Sequence, residues 1–199
     1  MTQQRKMGKL PQTAVKWVKY VLGFSVSVAV GLAPYLGRVN VPLFTPMLSF
    51  IPLSLQDTAI PLSSAAMGIV AVVVQWYDSQ QVSKGWASKV FGKTVAACVL
   101  SLLAIVVVET FGVERVYVPS IKETASFVVG FSYPHTPPCQ GLGRAKCITE
   151  RLVLDQDTIT TYFGEGQVKS AQFLLVLTYT VFMATFGVMI GLLIVTKRV

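Results

Sequence analysis

Two closely spaced cysteines, Cys139 and Cys147, are the residues in this sequence best suited to chemistry, and seven residues separate them. In an oxidising compartment such a pair becomes a disulfide, and closing so short a loop stabilises a fold by about 2–3 kcal/mol. A redox site would instead call for a Cys-x-x-Cys pair and a second pair that passes electrons on. Neither feature is present, so we predict a structural disulfide.

The other ionisable or reactive side chains do not form clusters in the sequence. Glu109 is the one acid inside an apolar segment, which makes it a candidate for lining a pathway. It lies within about one turn of the segment's end, so an ordinary ion pair with Arg151 or Lys169 is the alternative. Cys98, in the middle of the same segment, is most simply a small apolar residue. His135 is the only histidine, which leaves too few ligands for zinc or for a haem held by two histidines.

The usual sequence signatures of enzymes are missing. The chain has no recognisable Ser/His/Asp set, no HExxH motif and no phosphate-binding loop. We therefore expect no enzymatic activity, no bound metal and no cofactor.

Composition indicates a membrane protein. Apolar residues make up 53% of the chain and charged residues only 13%, against about a quarter charged in soluble domains. The net charge is +8, but the first basic residues all precede the first apolar run and no acid appears before Asp57. That placement is typical of a topology signal that contacts anionic lipids at the cytoplasmic face, so we do not expect nucleic-acid binding.

Four apolar segments are long enough to cross a bilayer, which takes about 20 helical residues. They cover residues 20–37, 59–77, 94–112 and 173–196. The first could be a cleaved signal peptide, but its apolar region is longer than such signals usually have. We therefore predict an all-α membrane protein built as a four-transmembrane-helix bundle.

Basic residues also predict the orientation. They cluster before the first segment, between the second and third, and at the chain end: Arg5, Lys6, Lys9, Lys16, Lys19; Lys84, Lys89, Lys93; Lys197, Arg198. The positive-inside rule then puts both termini in the cytoplasm of a multi-pass cell-membrane protein. The predicted divisions are residues 1–112, an extracytoplasmic loop domain at 113–170, and residues 171–199.

The two outer loops differ in character. Residues 41–55 contain no charge and three prolines, which predicts either a re-entrant or interfacial element or a lid on the outer helix ends. In the second loop, residues 116–118 and 126–133 read as strands. Residues 157–163 read as a short helix that is capped by Asp155 or Asp157 and stopped by Gly164.

Small residues at four-residue spacing predict close helix packing, since they let backbones approach when lipid competes for apolar contacts. Three segments carry them: Gly23, Ser27 and Gly31 in the first, Ser64 and Gly68 in the second, and Gly187 and Gly191 in the fourth. The packing is expected within the bundle, with packing between subunits as the alternative.

Two functions remain open. In the first, the chain is a non-enzymatic interaction or assembly subunit, in a homo-oligomer or with another membrane protein, whose outer domain makes the specific contact. In the second, several copies form a small pore or a membrane-permeabilising effector. A pore calls for a polar stripe along one span, and the second and third segments carry little beyond Gln75, Ser101 and Thr110. The first function is therefore favoured.

Overall fold

The computed structural model describes residues 48–78, 84–118, 122–132, 141–151 and 154–197, together with Leu32, Tyr35 and Cys139. Those residues form five helices and one two-stranded sheet, in the following order: α1 (Leu53–Asp78), α2 (Lys84–Gly112), β1 (Val113–Val118), β2 (Glu123–Val128), α3 (Arg144–Arg151), α4 (Gln156–Phe163) and α5 (Glu165–Lys197). The first predicted span, with Gly23, Ser27 and Gly31, lies outside the described residues.

Three of these helices are long and apolar enough to cross a membrane. The apolar stretches run over Leu53–Val74 in α1, Ser88–Gly112 in α2 and Glu165–Leu193 in α5. They coincide with the second, third and fourth predicted segments. The mostly helical architecture is therefore confirmed for the described part of the chain, with three candidate spans.

The three long helices extend beyond the predicted apolar segments, because polar residues do not end a helix. α1 begins six residues earlier than predicted and α2 ten residues earlier. α5 begins at Glu165, and its first turn carries an ion pair between Glu165 and Lys169, a spacing that supports a helix in water. Helix α5 therefore begins inside the range 113–170 that was predicted as the loop domain.

Helix α5 lies between the other two long helices, packing extensively against both, while α1 and α2 have little contact with each other. Its buried face follows the helical period, with one buried residue every three or four positions: Val168, Ala171, Leu175, Tyr179 and Met183. Contacts at Met67 and Val74 of α1 with Gly187 and Gly191 of α5 show that these two helices run parallel. Gly112, the last residue of α2, lies against Ala171 near the start of α5, so α2 is antiparallel to both.

The short stretch before α1 is tucked into the bundle. Leu48 and Ile51 are buried, as is Leu55 in the first turn of α1, and the Ile51 amide donates to the Leu48 carbonyl oxygen at 3.0 Å. Pro52 directly precedes α1, and its carbonyl accepts from the Leu55 amide at 2.9 Å. The described part of the predicted apolar loop is therefore packed on the helices, and residues 41–47 lie outside the described residues.

The remaining elements form a small unit at the end of the bundle where α2 stops and α5 begins. We call β1, β2, α3 and α4 the cap domain. β1 follows α2 without a connecting loop and pairs antiparallel with β2, in a register from Val113↔Val128 to Val118↔Glu123. The second strand was predicted at 126–133, but Gly130 with a positive φ of 76° ends the extended run. Helix α3 was not predicted.

Candidate functional site

The cap domain contains a disulfide bond that closes the loop leading into α3. Cys139 and Cys147 are bonded, with their Cα atoms 5.1 Å apart, as the sequence predicts. Both are fully buried, and Cys98 is a free thiol. Backbone bonds from Leu142 to the Cys139 carbonyl, 3.1 Å, and from Cys147 to the Gly143 carbonyl, 2.9 Å, hold the loop between them.

Helix α3, which carries Cys147, also fastens the cap domain to the bundle. The Arg144 guanidinium donates through Nη1 to the Phe111 carbonyl oxygen at 2.7 Å. Carbonyls in the last turn of a helix have no partner within the helix, and a cation there is favoured by the helix dipole. Arg144 therefore caps α2 with a group that the disulfide loop positions.

Two glycines allow the cap domain to touch the long helices at backbone distance. A Cβ on Gly130 would lie 3.0 Å from the carbonyl carbon of Gln167 in α5, and Gly130 also has a left-handed φ. A Cβ on Gly112 would lie 3.4 Å from both the Ala171 Cβ and the Phe131 ring. The hairpin is therefore wedged against α5, and a side chain at Gly130 would force the two apart.

Helix α4 is tied to the sheet by one side chain. Gln156 donates through Nε2 to the Val128 carbonyl at 2.8 Å and accepts the Val128 amide at 3.1 Å. Asp155 caps α4 by accepting from the amides of Asp157 and Thr158 at 2.8 and 3.1 Å. Hydrogen bonding from the Thr158 side chain, then from its amide, lowers the pKa of Asp155. This confirms the predicted short helix with its Asp155 cap and Gly164 stop.

One face of the sheet is buried, and the other is exposed around Arg115 and Tyr117 but buried next to α2, at Val113 and Val128. Val116, Val118 and Phe127 are buried. Side chains alternate along a strand, so Arg115 and Tyr117 point to the other face. Across the hairpin on this face, Ser126 lies opposite Arg115 and Thr124 lies opposite Tyr117. Tyr117 is 58% exposed, which makes it the largest apolar group on this face.

Glu109 of α2 binds a side chain of the cap domain. Its carboxylate forms an ion pair with Arg115 of β1, and the two side chains are 15% and 58% exposed, respectively. The structure therefore pairs Glu109 with a residue that the sequence analysis did not consider. Lys169, one of the two expected partners, pairs with Glu165 instead, and the side chain of Arg151 lies outside the described residues.

The predicted packing glycines of the fourth segment lie at the contact of α5 with α1. A Cβ on Gly191 would lie 2.9 Å from Val74 Cγ1, and one on Gly187 would lie 3.7 Å from Met67. The structure does not bring Gly68 into such a contact, because a Cβ there meets nothing within 4 Å. These contacts are within one chain.

Several hydroxyl groups lie in the interior of the bundle. Ser63 donates to the carbonyls of Ala59 and Ile60, at 2.7 and 3.1 Å, within its own helix. Among the described residues, the buried oxygens of Ser64 and Tyr179 have no hydrogen-bond partner. The hydroxyl of Ser63 is therefore satisfied within its own helix, whereas those of Ser64 and Tyr179 are buried without a described partner.

Sequence reasoning missed the residues that join the cap domain to the helices, namely Arg144, Gln156, Gly130 and Arg115. A glycine after an apolar strand was the one available signal, since an isolated glycine there often marks a close backbone approach. Arg144 and Gln156 bond to residues far away in the sequence, and Arg115 pairs with a residue of the preceding helix. Among the residues that the structure describes, no group of three or more His, Cys, Asp or Glu is placed to hold a metal ion.

No protein-family model, curated protein or solved structure matches this chain.

Proposed function

We propose that this chain is a non-enzymatic, multi-pass membrane protein that acts as an interaction or assembly subunit, with the cap domain making the specific contact. Four spans, cytoplasmic termini and an extracytoplasmic cap domain belong to the same proposal. One observation carries it: the cap domain is fastened to two long helices at once. Gly130 touches the α5 backbone and Arg144 caps α2.

That attachment matters because rigid surfaces lose little conformational entropy when they bind. The disulfide, the Gln156 side chain and the two close glycine contacts fix the hairpin relative to the helices. The exposed sheet face then presents Tyr117 and Arg115 in fixed positions. Tyrosine and arginine are the residue types over-represented among those that dominate binding energy.

Site-specific photocrosslinking tests this proposal. A benzophenone amino acid at Tyr117 should give a covalent adduct in intact membranes, with a second copy or with one membrane protein. The matched control is the same group at Thr161, which is exposed on α4 and lies outside the exposed sheet face. Specific adducts at 117 but not at 161 support the proposal, and equal or absent crosslinking at both positions contradicts it.

Extraction with alkaline carbonate tests the membrane location separately. Release of the protein into the supernatant would rule out spanning helices. Dye release from vesicles that carry the purified protein alone would favour the pore instead of the interaction subunit.

A further inference from the structure

One exposed stripe of α5 changes chemical character along the helix. Glu165, Lys169, Phe173, Leu177 and Val181 follow at four-residue steps, and all five are exposed. Neighbours at this spacing lie about 6 Å apart along the axis and about 40° apart around it, so the five residues form a stripe that winds partly around the helix. The stripe thus passes from an ion pair, through a phenyl ring that is 65% exposed, to aliphatic side chains.

The exposed side of α2 shows the same order. Leu103, Val107 and Phe111 are exposed at four-residue spacing, and four residues further on the chain reaches Arg115 in β1, at the start of the cap domain. α2 runs antiparallel to α5, so both helices change from aliphatic to aromatic to charged in the direction of the cap domain. Two independent stretches of sequence therefore mark the same transition.

Direct contacts place the two transitions at one level. Gly112 follows Phe111, and a Cβ on it would lie 3.4 Å from Ala171, two residues before Phe173. The ring of Phe131, from the cap domain, lies 3.4 Å from the same position and is itself partly exposed. We call Phe111, Phe131 and Phe173 the phenylalanine collar.

We propose that the phenylalanine collar lies in the interfacial region of a phospholipid bilayer, so that the cap domain rests on that leaflet and Leu177 faces hydrocarbon. This inference rests on the proposed membrane location. Tryptophan and tyrosine collect at the boundary between lipid and water, and phenylalanine is one of the side chains that interfacial helices bury at the edge of the acyl region. The collar has charged side chains on one side and exposed aliphatic ones on the other, which is the order that a lipid boundary requires.

The length of the apolar surface supports lipid as the occupant. On α2 the exposed charges stop at Lys93, and Phe111 follows eighteen residues later in one unbroken helix. At 1.5 Å per residue this is about 27 Å, close to the roughly 30 Å of a hydrocarbon core. A partner protein would impose no such length.

The proposal also gives Arg115 a specific task. Glu109 precedes Phe111 by two residues on α2, which puts its backbone about 3 Å further from the cap domain than the collar. Arg115 lies on the cap-domain side of the collar and pairs with Glu109 across it. A carboxylate just below the boundary therefore receives its counter-ion from the cap domain.

Spin labels at three steps of the α5 stripe test the boundary. Single cysteines replace Lys169, Phe173 or Leu177 in a Cys98→Ser background that keeps the native disulfide. The full-length protein is reconstituted in phosphatidylcholine/phosphatidylglycerol vesicles. We expect relaxation by a water-soluble nickel chelate to be strong at 169, reduced by more than half at 173 and lost at 177. Relaxation by oxygen should rise in the same order, and a label at Thr161 should behave like one at 169.

Each other pattern has a separate meaning. Strong nickel relaxation at 173 and 177, in protein that carbonate does not release, overturns the boundary but leaves the membrane location standing. Loss of nickel relaxation at 169 also overturns it, because the boundary then lies nearer the cap domain. Shielding of 173 and 177 from both reagents means that protein covers the stripe, and this overturns lipid as the occupant. Release by carbonate defeats the proposed function itself.

Discussion

Replacing Gly191 by alanine should destabilise the packing of α5 on α1, whereas the same change at Gly68 should be tolerated. The new Cβ at Gly191 would lie 2.9 Å from Val74 Cγ1 and 3.4 Å from Val74 Cβ. Carbon atoms pack best at about 3.5–4.0 Å, so Val74 or the helix must move by several tenths of an ångström. At Gly68 the added methyl meets nothing within 4 Å.

The magnitude follows from comparing the two glycines. Both lie inside long helices, so the gain in helix propensity, about 1 kcal/mol for glycine to alanine, is common to both and cancels. What remains is the overpacking at Gly191, which typically costs about 1–3 kcal/mol. Gly187→Ala should resemble Gly68→Ala, because its new methyl would meet Met67 at an ordinary 3.7 Å.

The assay is unfolding of the purified protein in mixed micelles by increasing SDS, followed by tryptophan fluorescence. Val74→Ala removes both Cγ atoms, so combining it with Gly191→Ala should recover most of the loss, as a double-mutant cycle would show. Equal stability of the Gly191 and Gly68 variants would refute the reasoning, and so would a double variant without recovery. Gly191→Leu should abolish folded protein. An intact monomer that has lost only its oligomeric state would instead put this face between subunits.

Three further predictions concern the cap domain. Replacing both cysteines of the disulfide by serine should lower the free energy of unfolding by about 2–3 kcal/mol, and an unchanged value in chemical denaturation would contradict this. Arg115→Ala should lower the thermal midpoint more than Arg115→Ala combined with Glu109→Gln does, because the single change leaves a mostly buried carboxylate without its cation; equal losses would mean that the pair contributes nothing. Hydrogen bonds from Thr158 lower the pKa of Asp155. The charged Asp155 cap therefore stabilises the fold at pH values above the ordinary carboxyl pKa of about 4. This contribution is lost as the pH falls below that value and through the lowered pKa. Thermal unfolding of Asp155→Asn between about pH 6 and pH 2 should therefore show a smaller acid-induced loss than the parent, and identical pH profiles would contradict the assignment.

The long helices were predictable because an apolar stretch of about 20 residues is stable only in lipid or in a protein core, and hydropathy identifies such stretches. Their starts were not, since helix α5 continues through Glu165 and Lys169, where an ion pair replaces apolar burial as the support. Hydropathy marks where a helix becomes apolar, and backbone hydrogen bonding decides where it begins. Gly164, with a φ of 92°, is the actual break.

The candidate site was predictable only where partners are close in the chain. The spacing of the two cysteines sufficed for the disulfide, and a capping aspartate followed by a glycine sufficed for α4. The partner of Glu109 was missed because α2 turns directly into β1, which carries Arg115 back within reach after six residues. Arg144 reaches a carbonyl 33 residues away, a contact that depends on how the disulfide loop folds back.

Small-residue motifs predict a close approach but do not say which side chains fill it. Gly187 and Gly191 form one motif, yet Met67 lies at ordinary contact distance from the first and Val74 crowds the second. The surface of α1 that meets these two glycines is thus made of the large side chains Met67 and Val74, and Gly68 is not part of it. A glycine groove on one helix is best filled by projecting side chains of the other. The role of Gly68 stays a prediction, and its open surroundings make it the natural control for the crowded glycine on α5.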